Sequence, residues 1–187
     1  DLLLRMYNVE EGQLFIDDVD IMDLDVKHLR ENITFVPQDN FLFGTKIKDN
    51  IAFGQDASFE EVDINDPVFN EETAPAEEVE KVSKMADIHK DIVDFTDGYD
   101  TILGERGVTV SGGQKQRISI ARALLKKAPI IILDDAVSAV DTKTDALIRK
   151  AFKEYIPETT KIIIAQRISS VQDLMAVLRR GIAGNSL

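Results

Sequence analysis

Two constellations in this chain hold residue types that phosphate chemistry uses. The first is Val110-Ser111-Gly112-Gly113-Gln114-Lys115-Gln116-Arg117, where a serine and two glycines open a helical pattern that continues through Ala121, Leu124 and Leu125 toward Pro129. Amides in the first turn of a helix have no intrahelical partner, glycines let backbone approach a ligand closely, and the helix dipole adds partial positive charge. The same Ser-Gly-Gly also reads as an ordinary serine-capped helix start. The second constellation is Asp134-Asp135, which follows the apolar run Ile130-Ile131-Ile132-Leu133. Open α/β sheets bind ligands at the C-terminal ends of their strands. There, one carboxylate can hold magnesium while its neighbour orients a water as general base. An isolated aspartate pair is also a common solvated turn. Two other apolar runs lead into the uncharged polar residues Gln38 and Gln166, however. Three strands delivering Gln38, Asp134, Asp135 and Gln166 to one edge describe a site.

The elements that must position these groups are short. Ile33-Thr34-Phe35-Val36, Ile130–Leu133 and Lys161-Ile162-Ile163-Ile164-Ala165 are rich in β-branched residues and read as buried strands of a central parallel sheet. Gln13-Leu14-Phe15-Ile16-Asp17 alternates after the turn Glu11-Gly12, which suits an antiparallel or edge strand and makes the sheet mixed. Leu147, Ile148, Ala151, Phe152 and Tyr155 recur at helical spacing behind a capping Asp141 and before Pro157, so strand, helix and strand form a βαβ unit. A helix is expected over about Ala76 to Asp94, with Val79, Val82, Ala86, His89 and Val93 along one stripe. With the helix after Gly113, it makes a helical lobe inserted between the first two buried strands. The opening residues, Asp1-Leu2-Leu3-Leu4-Arg5-Met6-Tyr7, read as the interior of a helix with no cap before them.

Composition narrows the function classes. With 187 residues and 44% hydrophobic content, the chain can bury one substantial core with a smaller lobe attached. Its 34 acidic residues against 22 basic give a net charge of -12, which argues against nucleic acid as a partner. The absence of cysteine excludes disulfides and thiolate metal sites. No apolar run approaches the roughly 18 residues a membrane helix needs. Between Lys48 and Lys81 there is no basic residue but eleven Asp and Glu, together with Pro67 and Pro75, so this stretch reads as an exposed acidic loop.

Taken in order, these motifs resemble the ATPase domain of ABC transporters. Val110 to Arg117 is similar to the family signature, Ile130 to Asp135 to the Walker B strand, and Ser138-Ala139-Val140-Asp141 to the D-loop. Val36-Pro37-Gln38-Asp39 resembles the Q-loop, and Thr101 to Gly107, ending Gly104-Glu105-Arg106-Gly107, the X-loop of exporters. The resemblance runs from Leu2 to about Asp173, and matched order makes it specific. It implies a P-loop NTPase of the ABC-ATPase type, an α/β fold with a mixed-sheet core and an inserted helical subdomain. Residues 1–45 and 129–187 would form the ATPase core, and 46–128 the helical subdomain carrying the signature. The implied ligands are ATP and Mg2+. Gln38 and Asp134 would hold the metal, Asp135 and Gln166 would be catalytic, and Gln38, Ser111, Gly112, Gly113, Gln114 and Asp141 would contact nucleotide. The implied partners are a second nucleotide-binding domain and the transporter's transmembrane domains, at the cytoplasmic face of a membrane.

The chain departs from the family in five places. No stretch fits the phosphate loop G-x-x-x-x-G-K-[ST], although there are ten glycines. Because Leu2-Leu3-Leu4-Arg5 resembles the helix that follows that loop, the loop is expected to end a few residues before Asp1, and this chain alone should bind ATP poorly and be inactive. The family's catalytic glutamate is Asp135, one methylene shorter, and its switch histidine is Gln166, which cannot carry an imidazolium's charge. An intact signature beside an altered Walker B and switch resembles the degenerate half of a heterodimeric exporter, whose signature completes the partner's site. Finally, the acidic stretch Gln55 to Glu77 is longer than the usual connection, and the tail from Leu174 to Leu187 loses register with the family. Two other readings remain open. One is a regulatory module that binds nucleotide without hydrolysing it. The other is a soluble ABC-type ATPase, against which the exporter-like Gly104-Glu105-Arg106-Gly107 and the acidic charge both argue.

Overall fold

A computed structural model of the chain describes residues 2–56, 74–104, 108–135 and 141–164. The three β-branched runs form a parallel sheet of β3 (Ile33–Val36), β4 (Ile130–Asp134) and β5 (Thr160–Ile164), with β4 in the middle. The register pairs Val36 with Leu133 and Asp134 with Ile164, so the C-terminal ends of the strands lie together. The alternating segment makes a shorter strand than expected, β1 (Phe15–Ile16), pairing antiparallel with β2 (Val19–Asp20) as a separate ladder. Asp17 and Asp18 make the turn, both at positive φ, where aspartate is tolerated. A short helix, α1 (Val26–Glu31), precedes β3 and is capped by Asp25.

The helices are α2 (Ile47–Asp56), α3 (Ala76–Met85), α4 (His89–Val93), α5 (Gly112–Leu125) and α6 (Thr142–Tyr155), with a 3₁₀ turn at Gly98–Asp100. Helices α2 and α3 pack on α5, whose Ile118, Ile120, Ala121 and Leu125 are buried almost completely. One apolar cluster runs from these helices onto the face of the sheet formed by Val36, Ile131 and Leu133, and on to Ile148 and Phe152 of α6. A second cluster covers the other face with Leu4, Ile21, Leu29, Ile33 and Ile132. Each fully buried Ile or Leu contributes about 2 kcal/mol of transfer free energy, so this two-sided burial is what holds β4 central. Among the described residues, no helix is long and apolar enough to cross a membrane.

Three expectations about the helices need correction. Leu2 to Arg5 form turns, not a helix. Arg5 sits at φ 47 with its guanidinium donating to the carbonyl of Leu24 at 2.8 Å, so distant backbone overrides local helix preference. The single helix over Ala76 to Asp94 is two. Asp87 adopts φ 54, the Ile88 amide bonds the Ser83 carbonyl and the Asp87 amide bonds that of Lys84, which is a Schellman stop. That break turns Val93 out to solvent, 53% exposed, while Met85 and Ile92 take the buried positions. On α6 the buried face is Thr144, Ile148, Ala151 and Phe152, with Leu147 and Tyr155 outside it.

The segment that follows β3 is tied to the helices by one side-chain hub. Asn50 of α2 is fully buried. Its Oδ1 accepts the Phe43 amide at 2.9 Å, and its Nδ2 donates to the carbonyls of Phe43 and Lys46. Arg122 of α5 donates to the Asn50 carbonyl at 2.6 Å, to Asn50 Oδ1 at 2.9 Å and to the Phe41 carbonyl at 3.0 Å. Its guanidinium also lies over the rings of Phe43 and Phe53. Residues 101–103 run alongside, with the Leu103 amide bonding the Thr45 carbonyl at 2.9 Å. There Gly104, at φ 109, would place a Cβ 3.2 Å from Gly44 Cα, a spot with both the conformation and the space for glycine alone.

Candidate functional site

The sheet brings three of the four strand-end residues to one edge. Asp134 ends β4 and is half-buried. Asp135 is 8% exposed, at φ 49, and its amide donates to the Ile164 carbonyl at 2.8 Å. Gln38 lies two residues beyond Val36 on the neighbouring strand and is exposed. Gln166 falls outside the described residues, as do Ser138 to Val140 of the D-loop pattern and Glu105 to Gly107 of the X-loop pattern.

Among the described residues, neither Asp134 nor Asp135 has a cationic partner. Asp134 and Asp135 set two carboxylates side by side at a strand end, and carboxylate oxygens are hard ligands for a divalent cation. No group of three or more His, Asp or Glu among the described residues forms a closed metal site. An open site with one or two hard carboxylates and an amide oxygen nearby suits magnesium, which fills its shell with water and phosphate oxygens. The residues present therefore fit the ion.

The helix start at Ser111 is built as a capping box. Ser111 Oγ accepts the Gln114 amide at 3.2 Å, and Gln114 Oε1 accepts the Ser111 amide at 2.9 Å. This leaves Gly112 and Gly113 with the first two amides of α5, which helix geometry does not pair. Ser111 and Gly112 are exposed. Arg117, one turn on, donates to Asp91 Oδ2 of α4 at 2.7 Å and to the backbone carbonyl of Asp87. Burial raises the Asp91 carboxyl, but the bonds from Gln114 and Arg117 outweigh it and hold the group below its usual range.

Among the described residues, no hydrogen bond joins Ser111, Gly112, Gly113 or Gln114 to Gln38, Asp134 or Asp135. The link between the two constellations is Gln116, to which the sequence assigned no role. It is buried, and its Nε2 donates to the Asp135 carbonyl at 3.4 Å. In the sequence it is one of four consecutive polar residues, Gln114 to Arg117, which does not by itself name a partner.

Asp141 caps α6. Its Oδ1 accepts the amides of Lys143 and Thr144 at 3.0 and 3.1 Å, and its Oδ2 the Thr144 hydroxyl at 2.8 Å. The Thr144 hydroxyl and amide, with the Lys143 amide, hold its carboxyl below the ordinary aspartate value. A depressed native value means the aspartate stabilises the fold above about pH 4, and the contribution fades as pH falls through the native value. Asp141→Ala is therefore expected to lower the melting temperature at pH 7, with the two proteins converging toward pH 3. A deficit that stays constant across a melting series from pH 7 to 3 would show that the carboxylate's charge is not what the cap uses.

A comparison with known families decides the family of the chain: residues 1–138 match the model described as ABC transporter. The chain belongs to the ABC transporter family. It is 39% identical over 183 residues to the ATP-dependent lipid A-core flippase of Acinetobacter baylyi, covering 97% of this chain and 29% of the flippase. It is 40% identical to ATP-binding cassette sub-family B member 6 of Xenopus tropicalis, covering 96% of this chain and 20% of that protein. Among solved structures it is similar to a bacterial Atm1-family ABC exporter with ATP bound, with a TM-score of 0.77 and 38% identity over 91% of this chain and 27% of that one. The α/β fold of the ABC ATPase is thereby established, and the chain spans less than a third of the length of these relatives.

Proposed function

We propose that this ABC transporter chain is the ATP-driven motor domain of an exporter, and that its own catalytic site is degenerate. The observation that carries this reading is the pair Asp134 and Asp135 at the end of the central strand, without a cationic partner among the described residues and with Gln38 two residues past the end of the neighbouring strand. Bound magnesium would neutralise charge developing on the transferred phosphoryl group. Asp134 and Gln38 would hold that ion, and Asp135 would orient the attacking water. In this reading 1–45 and 129–187 form the ATPase core and 46–128 the helical subdomain, which presents Ser111, Gly112, Gly113 and Gln114 to nucleotide held by a second nucleotide-binding domain. Asp141 would stand at the same junction as the cap of α6.

The degenerate half of the proposal rests on Asp135 and Gln166, where a longer carboxylate and an imidazole are the family's residues. It implies a heterodimer in which this chain's signature completes the partner's working site. The exposed Phe41, after β3, and Ile102, paired with Lys46 before α5, support a surface that faces the transporter's transmembrane domains at the cytoplasmic side of the membrane. The similarity to a lipid A-core flippase and to an Atm1-family exporter supports export as the direction of transport. The test is ATP turnover by the purified full-length subunit, first alone and then with its partner. Slow turnover alone and rapid turnover with the partner are expected. A lone subunit that turns over ATP as fast as the pair would overturn the degenerate-site reading.

A further inference from the structure

The capping box at Ser111 depends on which way the Gln114 amide faces, and a carboxylate outside the box favours the orientation that the box uses. A primary amide has an accepting end and a donating end of nearly the same shape. Here Oε1 faces the Ser111 amide at 2.9 Å and Nε2 faces Asp91 Oδ1 at 3.0 Å. An ionised carboxylate only accepts, so Asp91 admits the donating end alone and sends the accepting end to Ser111. Arg117 clamps the same carboxylate, at 2.7 Å to Oδ2 and 3.3 Å to Oδ1, and its Nε bonds the Gly113 carbonyl at 3.3 Å. The Asp91 side chain is 28% exposed and that of Arg117 is 15% exposed, so neither is an unrestrained surface charge. Charge-assisted bonds in such a setting are about twice as strong as neutral ones. A flipped Gln114 would point its amide hydrogens at the Ser111 N–H and undo one of the two bonds of the box.

We propose that Asp91 is a positioning residue for the nucleotide-facing end of α5: by fixing the Gln114 amide, it sets the arrangement of Ser111. The inference rests on the reading that Ser111 contacts nucleotide held by the partner domain. Asp91 touches no nucleotide in this scheme, and its effect passes through Gln114.

A double-mutant cycle in the full-length transporter assembled with its partner tests it, with ATP turnover, the KM for ATP and melting temperature as readouts. Ser111→Ala is expected to lower turnover by at least about 10-fold, the effect of losing one preorganised donor at a phosphoryl site. Asp91→Leu is expected to lower it by about 10-fold, as loss of a hydrogen bond to a charged group would. The double variant should be no slower than Ser111→Ala, since the aspartate acts only by placing that residue. Should Asp91→Leu not fold, Asp91→Ser removes the same carboxylate in a smaller side chain and is read in the same cycle. Multiplicative losses in the double variant would overturn the inference, because a purely structural aspartate lowers turnover whatever stands at 111. Unchanged turnover in the Asp91 variant overturns it equally. A silent Ser111→Ala removes the underlying reading of the signature segment, and is told apart by that single variant.

Discussion

Asp135→Glu combined with Gln166→His in the full-length protein is expected to raise the subunit's own ATP turnover by about 100-fold, the scale on which a misplacement near 1 Å is felt. The structure gives the physical reason the shorter carboxylate cannot compensate by moving. Asp135 is buried, its amide is bonded to Ile164 at 2.8 Å and its carbonyl to Gln116 at 3.4 Å, so the backbone that carries the carboxylate is held from both sides. Its reach is then set by side-chain length. The backbone there lies at φ 49, which aspartate tolerates better than glutamate, so the gain in reach comes with a cost of about 1 kcal/mol in stability. The expected signature is therefore faster turnover with a slightly lower melting temperature. Turnover that does not change when both substitutions are present would mean that neither position limits the site.

The sheet was legible because its cause is local. Ile33–Val36, Ile130–Asp134 and Thr160–Ile164 are dense in β-branched residues, and a strand buried on both faces needs little else to declare itself. The caps Ser111 and Asp141 were legible for the same reason, since a cap is decided within three residues. What could not be read depends on groups far apart in sequence. Arg5 breaks a helical-looking start by reaching carbonyls 16 and 19 residues away, at Ile21 and Leu24. The stop at Asp87 lies inside an unbroken amphipathic pattern, with neither glycine nor proline to mark it. Gln116 and Asp91 join the site through partners 19 and 23 residues distant, and no spacing rule pairs an amide or a carboxylate across such gaps. The Arg122 hub reaches further still, with partners 72 and 81 residues back along the chain.

That hub carries the second large effect. Burial pushes the Arg122 guanidinium down to about 10, so it remains charged at neutral pH and its desolvation must be offset by what surrounds it. Three acceptors and two aromatic faces do so: the Asn50 carbonyl, Asn50 Oδ1, the Phe41 carbonyl, and the rings of Phe43 and Phe53. Arg122→Ala would remove those bonds while Asn50 stays fully buried with its Oδ1 still accepting the Phe43 amide, and each hydrogen bond lost from a charged donor costs about 1.5–3 kcal/mol. A net loss of about 3 kcal/mol is expected, or roughly 10 °C in melting temperature for a chain of this size. Arg122→Lys keeps the charge but cannot reach three acceptors in a planar fork, so it should fall between the two. Denaturant midpoints for the three proteins check this, and a loss below about 1 kcal/mol for Arg122→Ala would place the cluster with ordinary surface pairs. The consequence reaches the site, because Arg122 anchors the Phe41 carbonyl three residues beyond Gln38 to the same helix that carries Ser111 at its start. Loosening that anchor frees the segment three residues beyond Gln38 from the helix that begins at Ser111, which the proposed function sets against nucleotide, so turnover in the full-length transporter should fall even at temperatures where the Arg122→Ala protein is folded.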